Sequence, residues 1–271
     1  MRDDSANRRF LRGLGRAFAG AILFGLPLLM TMEMWWLGFT LPPARLAVLL
    51  VVLFPVLVLL SWHAGFEPTF SWKNDVVDAL VAYAVGFVAS AAVLGLLGLV
   101  DRTMEAREVI GKIALQAVPA SIGALLSQSQ MGQQKAEGGQ HGSAGYLSDL
   151  FIMGVGAVFF ALNVAPTEEM LVIALRVAPA LAIVVVLVTA GVMHAFGHAA
   201  ASTRDNDRPR PHWFLFLRFT LAGYALAVLL SAAMLWFFGR LDGLGIDAAV
   251  KAIAVLSLPA GIGAASARLV L

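Results

Sequence analysis

Runs of about 20 apolar residues recur along the whole chain and decide what it can fold into. A helix needs roughly 20 residues, at about 1.5 Å each, to cross about 30 Å of hydrocarbon. Of the 271 residues, 60% are hydrophobic and 13% charged. Soluble domains run at about 45–50% and about 25%, so the chain is expected to be an all-α, polytopic membrane helical bundle. Spans are expected at about 17–38, 45–64, 77–100, 109–127, 150–166, within 171–196, 215–238 and 247–267, eight in all. The start of the sixth is ambiguous, because Arg176 and Pro179 interrupt its apolar run.

Between the fourth and fifth spans lies QSQMGQQKAEGGQHGSAGYLS, residues 128–148. Its Gln, Gly and Ser cannot bury a core and read as a flexible linker. The expected organisation is therefore 1–127, with a basic N-terminal arm, then the 128–148 linker, then 149–271. The arm carries Arg2, Arg8, Arg9, Arg12 and Arg16 ahead of an apolar run without a clear cleavage site, which fits an uncleaved first helix.

The two halves echo one another. Gly20–Met34, GAILFGLPLLMTMEM, aligns without a gap on Gly156–Met170, GAVFFALNVAPTEEM, at a spacing of 136, with seven of fifteen positions identical. Tyr83–Asp101 aligns on Tyr224–Asp242 at 141, with eight of nineteen identical, and PASIGA from Pro119 aligns on PAGIGA from Pro259 at 140. Blocks in the same order that share Glu, Tyr, Asp and Pro point to a tandem duplication. Four spans per half is an even number, so the expectation is a 4+4 parallel repeat.

Basic residues orient the chain. With the N-terminus inside, that side collects the five N-terminal arginines, Lys73, Lys135, Arg204, Arg208, Arg210 and Arg268, which favours cytoplasmic N- and C-termini. The net charge of +2 is explained by this clustering, and no nucleic-acid partner is implied. No cysteine is present, which excludes disulfides, thiolate metal sites and Cys nucleophiles. No phosphate-binding loop appears, and Gly261-x-Gly263 lacks the βαβ context of a dinucleotide fingerprint. No cofactor is implied.

The repeated Thr-x-Glu-Met carries the chemistry. Glu33 and Glu169 end membrane-length runs at the same aligned position, and Glu168 stands where the first copy has Met32. Acids in membrane segments usually face the bundle interior and mark ion or proton paths, and carboxylate oxygens suit hard cations or protons. The plain alternative is a solvated carboxylate at a helix end beside Trp35-Trp36. Two adjacent acids, Glu168 and Glu169, would favour a shared proton. Asp101 and Asp242 are expected to end the third and seventh spans and could complete an acidic vestibule, although with Arg102 and Arg240 close by, local ion pairs or simple helix ending are the simpler reading. Thr31, Thr167, Tyr83 and Tyr224 are supporting residues; each tyrosine precedes a Ser-Ala-Ala that permits close helix packing. Pro27, Pro119 and Pro259 are positioned to kink helices and free carbonyls. His63 and His194 fall near inner ends. His194 and His198, four residues apart, are weak metal candidates without a clear third ligand.

The TMEMWWLG and APTEEM segments, with the length and hydropathy, resemble a bacterial family of polytopic integral membrane proteins of unknown function. That resemblance covers nearly the whole chain and implies an inner-membrane location, but no activity. From the residues themselves, the leading reading is a cation channel or proton-coupled cation transporter using Glu33 and Glu169. The alternatives are a non-transporting partner or assembly subunit of a membrane complex, and a membrane-embedded metal enzyme using His194 and His198. Expected partners are the lipid bilayer, an inorganic cation or proton, and a second copy of the chain.

Overall fold

The structure, a computed structural model, describes residues 2–64, 72–131, 146–204, 213 and 216–270. Most of the 128–148 segment lies outside the described residues, as do Lys135, Arg208, Arg210 and the side chain of His63. Where it is described, that segment is helical at both ends. The chain forms two compact units, Met1–Gln140 and His141–Leu271.

The first unit contains α1 (Arg2–Leu29), α2 (Met32–Thr40), α3 (Pro43–Ala64), α4 (Trp72–Leu96) and α5 (Ala106–Met131). The second contains α6 (Tyr146–Val164), α7 (Glu168–Arg176), α8 (Pro179–Arg204), α9 (Ala222–Phe237), entered through a π-type turn Phe216–Leu221, and α10 (Ile246–Val270). Among the described residues, eight helices are long and apolar enough to cross a membrane, four in each unit. Outward apolar side chains such as Leu23, Val51, Val88, Leu187 and Leu229 give these spans faces that suit lipid.

In each unit the last helix is the hub. The α5 helix packs on α1, α2, α3 and α4, and α10 packs on α6, α7, α8 and α9. Small residues make this possible, since without a hydrophobic drive between helices in lipid, close van der Waals packing must hold them. The α1–α5 crossing sets Gly20 against Gly123, and the α6–α10 crossing sets Gly156 against Gly263. A Cβ added at Gly123 would lie 2.6 Å from the Gly20 carbonyl oxygen and 2.5 Å from Phe24. One added at Gly156 or Gly263 would collide with the other's carbonyl. The outer helices of each pair run antiparallel. Ser127 of α5 donates to the Arg16 carbonyl midway along α1, whereas Gln116, earlier in α5, donates to the Leu28 carbonyl near its end.

Two sequence expectations are corrected. The first apolar run, expected as one helix over 17–38, is two helices broken at Met30-Thr31. The ambiguous sixth span begins with a separate short helix, α7, and α8 starts only at Pro179. Proline tolerates the first helical position because its missing N–H would be unpaired there anyway, and Pro43 and Pro179 both occupy it. The short helices α2 and α7 are both nine residues long, with an extended Thr31 or Thr167 before them and an extended Leu41 or Val177 after.

The α4 and α9 helices end on the same device. Gly98 and Gly239 have φ of 69° and 70°, the left-handed region that glycine enters without a Cβ penalty. Leu99 N–H donates to the Leu94 carbonyl at 2.8 Å and Gly98 N–H to Gly95 at 3.1 Å; Arg240 N–H donates to Leu235 at 2.8 Å and Gly239 N–H to Trp236 at 3.1 Å. This is the paired bond pattern of a Schellman cap.

Candidate functional site

The breaks before α2 and α7 put the repeated acids at the start of short helices. A helix end leaves its last four carbonyls without internal partners, and at the end of α1 each finds one. Met30 N–H serves the Leu26 carbonyl at 3.0 Å. Thr31 Oγ1 serves Pro27 at 2.7 Å, and Trp35 Nε1 serves Leu29 at 2.6 Å. The Leu28 carbonyl accepts from Thr31 N–H and from the buried Gln116 Nε2, both at 3.0 Å. In the second unit Thr167 Oγ1 serves the Val164 carbonyl at 2.8 Å, and the Arg240 guanidinium donates to the Pro166 carbonyl. The carbonyls at the end of α1 are thus capped by the protein itself.

Three of the four letters in Thr-x-Glu-Met then have distinct fates. The threonines cap the preceding helix and do not cap their own. Met34 and Met170 are buried and anchor the short helices to the unit cores. Glu33 is half-exposed, and Glu168 and Glu169 are exposed; among the described residues none of the three has a hydrogen bond or ion pair. A first-turn carboxylate gains about 0.3–1 kcal/mol from the helix dipole, and that is the only structural benefit evident for them.

Asp101 and Asp242 lie beyond the helix ends set by Gly98 and Gly239, in the turns that follow. Asp101 is exposed, and its Oδ1 accepts from the Thr103 hydroxyl and, at 2.7 Å, from Thr103 N–H. The Thr103 hydroxyl, with further help from the backbone N–H, holds the Asp101 carboxyl below its ordinary range. Asp101 is therefore a turn-forming residue.

Tyr83 and Tyr224 tie helices together by different partners. Tyr83 OH donates to the Leu50 carbonyl of α3 at 3.4 Å, and its ring lies against Phe54 and Phe87. Tyr224 OH meets Ser257 Oγ of α10 at 3.0 Å. Ser257 already donates to the Ala254 carbonyl, so the tyrosine is the donor.

His194 Nδ1 lies 3.1 Å from Thr220 Oγ1 and edge-on to Phe216. Among the described residues, no group of three or more His, Asp or Glu side chains is arranged to hold a metal ion.

Sequence reasoning passed over Gln116 and Lys112, one turn apart on α5. Lys112 is 6% exposed, pairs with Glu108 at 2.5 Å, donates to the Leu99 carbonyl at 3.2 Å and lies over Phe39 of α2. The available signal was their spacing: Glu108, Lys112 and Gln116 recur every four residues and so form one polar stripe along an otherwise apolar helix.

Among the described residues, eight membrane-length helices around two small-residue hubs define a multi-pass integral membrane protein. The chain belongs to the family described as "Putative integral membrane protein (DUF2391)", whose model matches residues 13–271. No curated relative and no solved structure matches it.

Proposed function

We propose that the protein translocates a proton or a small cation across a bacterial inner membrane, with Glu33 and Glu169 as the carrier carboxylates. The observation that carries this reading is the division of labour in Thr-x-Glu-Met. The fold uses the threonine and the methionine in both units, yet engages neither glutamate. Broken membrane helices are a recurrent setting for ion sites. Here the carbonyls at the break of α1 are already satisfied by Thr31, Gln116 and Trp35, which leaves carboxylate oxygens as the available ligands and favours a proton over a fully coordinated metal ion. Glu168 beside Glu169 is a second carrier group, and Asp101 and Asp242 contribute negative charge in the turns beyond α4 and α9.

The two units derive from a duplication in this reading. Supporting it, α2 and α7 start and stop 136 residues apart, and the glycines that meet in one unit are the aligned counterparts of those that meet in the other. Cytoplasmic N- and C-termini follow from the basic-residue bias.

The test is flux in proteoliposomes carrying an internal pH dye, under Na⁺, K⁺, Ca²⁺ and Mg²⁺ gradients in turn. Selective dissipation of one gradient supports translocation. Silence toward every ion, from protein shown to be helical and monodisperse, overturns it in favour of a non-transporting partner subunit.

A further inference from the structure

The α5 helix carries charge where a membrane helix accommodates it poorly. Its span begins at Ala106, so Lys112 lies about 9 Å inside it, at about 1.5 Å per residue. Ionisable side chains within a span are costly, and those that are kept usually serve function. The second unit builds the same kind of hub without them. At the spacing of 140 that aligns Pro119 with Pro259, Ala248, Ala252 and Leu256 stand in place of Glu108, Lys112 and Gln116. Ala252 and Leu256 are fully buried, and α10 packs on α7 as α5 packs on α2. The second unit's own acid–lysine pair, Asp247 and Lys251 at 3.1 Å, starts one position earlier, and its aspartate side chain is 75% exposed.

The Lys112 ammonium joins three segments. It pairs with Glu108 on its own helix, donates to the Leu99 carbonyl beyond the end of α4 at 3.2 Å, and lies 5.7 Å from the centre of the Phe39 ring on α2. The Met104 sulfur, in the turn before α5, is a weaker acceptor at 3.7 Å. Asp101, in the same turn, lies in the field of the ammonium. At this level α2 and α5 meet backbone to backbone: a Cβ on Gly38 would lie 2.6 Å from Lys112 Cα, and one on Gly111 would collide with the Gly38 carbonyl. One turn further along α5, Gln116 donates to the Leu28 carbonyl, just ahead of the break before α2. Lys112 and Gln116 therefore brace α2 at its end and at its entry, and Glu33 lies on the stretch between.

The side chains of Ala252 and Leu256 can make neither contact, yet α7 docks on α10. Docking a short helix on this hub thus does not require a buried charge, and the lysine of the first unit calls for another role. We propose that Lys112 is a positioning residue for Glu33: its ammonium, anchored by Glu108 and the Leu99 carbonyl, latches the end of α2 and fixes the helix that carries the carboxylate. The latch is particular to the first unit, where Glu33 is half-exposed; Glu168 and Glu169, on the helix without it, are exposed. It rests on the translocation reading for its functional consequence, whereas its physical effect on α2 is measured without any flux.

The test follows hydrogen exchange in the full chain, reconstituted in lipid nanodiscs. Lys112→Met should speed exchange across Met32–Thr40 about tenfold, the size expected for losing one hydrogen bond from a charged donor, and leave Glu168–Arg176 unchanged. Lys112→Arg keeps a cation and should keep most of the protection. Lys251→Met, in the other unit, should leave α2 as it is. Removing one member of a buried pair strands the other, whereas removing both is often neutral for stability, so Lys112→Met/Glu108→Gln keeps the test open should Lys112→Met fail to fold. That double variant should melt like wild type while α2 exchanges fast. Unchanged exchange across α2 in it, or equal acceleration of α2 and α7, overturns the latch. Proton flux in proteoliposomes then tests the consequence. With a conducting wild type, the double variant should lose most of the flux and Lys112→Arg should keep most of it; wild-type flux from a double variant whose α2 exchanges fast overturns the positioning role. A wild type silent toward every ion sinks the translocation reading instead, and the exchange data still decide whether the latch exists.

Discussion

Gly20 of α1 and Gly123 of α5 touch backbone to backbone: a Cβ on Gly20 would lie 2.5 Å from the Gly123 carbonyl oxygen, and one on Gly123 would lie 2.6 Å from that of Gly20. Moving a side chain cannot relieve either clash, because a backbone carbonyl obstructs each added Cβ alongside Ser127 or Phe24. Gly123→Ala and Gly263→Ala are therefore expected to destabilise their units by about 1–3 kcal/mol, the usual cost of overpacking. Gly191→Ala, where a Cβ meets open space, should be neutral or stabilising, since alanine favours a helix over glycine by about 1 kcal/mol. Thermal unfolding in detergent, followed by circular dichroism, ranks the three. A Gly123→Ala protein as stable as Gly191→Ala would contradict the crossing.

The two Schellman caps make a paired prediction. Gly98→Ala and Gly239→Ala each force a Cβ into the left-handed region at a cost of about 1–2 kcal/mol. No other atom would crowd the added methyl at Gly98, so conformational strain alone sets its penalty. Midpoints of unfolding in a denaturing detergent should fall by similar amounts for both variants. An unchanged midpoint for Gly98→Ala would show that α4 does not end there.

Trp35→Phe keeps an aromatic side chain, though a smaller one, and removes the donor to the Leu29 carbonyl. Leaving a part-buried carbonyl unpaired costs about 1–3 kcal/mol. The loss should appear first as faster hydrogen exchange across Met30–Met34, because the break opens before the unit does. Uniform exchange across α1 and α2 in wild type would sink this assignment.

Asp101 gives a pH-dependent readout. Its folded carboxyl titrates below its unfolded value because Thr103 donates to it. The stability it contributes is therefore present above the unfolded pKa, about 3.9, and is lost as pH falls through the folded value. Thr103→Val should move the Asp101 titration upward toward the ordinary range. Carbon-detected NMR of labelled aspartate follows it directly, and an unmoved Asp101 signal would contradict the turn geometry.

The spans were legible because hydropathy over 20 residues needs no knowledge of packing. The breaks were less so. From Gly20 to Trp36 the sequence stays apolar except for Thr31 and Glu33, so nothing local announces that α1 stops at Leu29. The missed signal lay in the alignment, which continues past Met34 at the same spacing of 136 to Pro43 and Pro179, the first residues of α3 and α8. Those prolines bound the short helices on the far side. The acids at the start of α2 and α7 were legible as repeated residues, but their freedom from any partner among the described residues was not, because it depends on which donors the packed fold brings near them, just as the capping of the α1 carbonyls does. Gln116 is 88 residues from Leu28, and only the α1–α5 crossing brings them together. The contact of Lys112 with Phe39 depends in the same way on α5 meeting α2.

The most direct measurement compares proton flux into pH-dye-loaded proteoliposomes for wild type and the Glu33→Gln/Glu169→Gln double variant, under an imposed proton gradient and a clamped membrane potential. Both glutamates make no contact that the fold requires, so the double variant should reconstitute like wild type and lose at least tenfold in flux, about 1.4 kcal/mol. Equal flux in the two proteins would contradict carriage by these carboxylates.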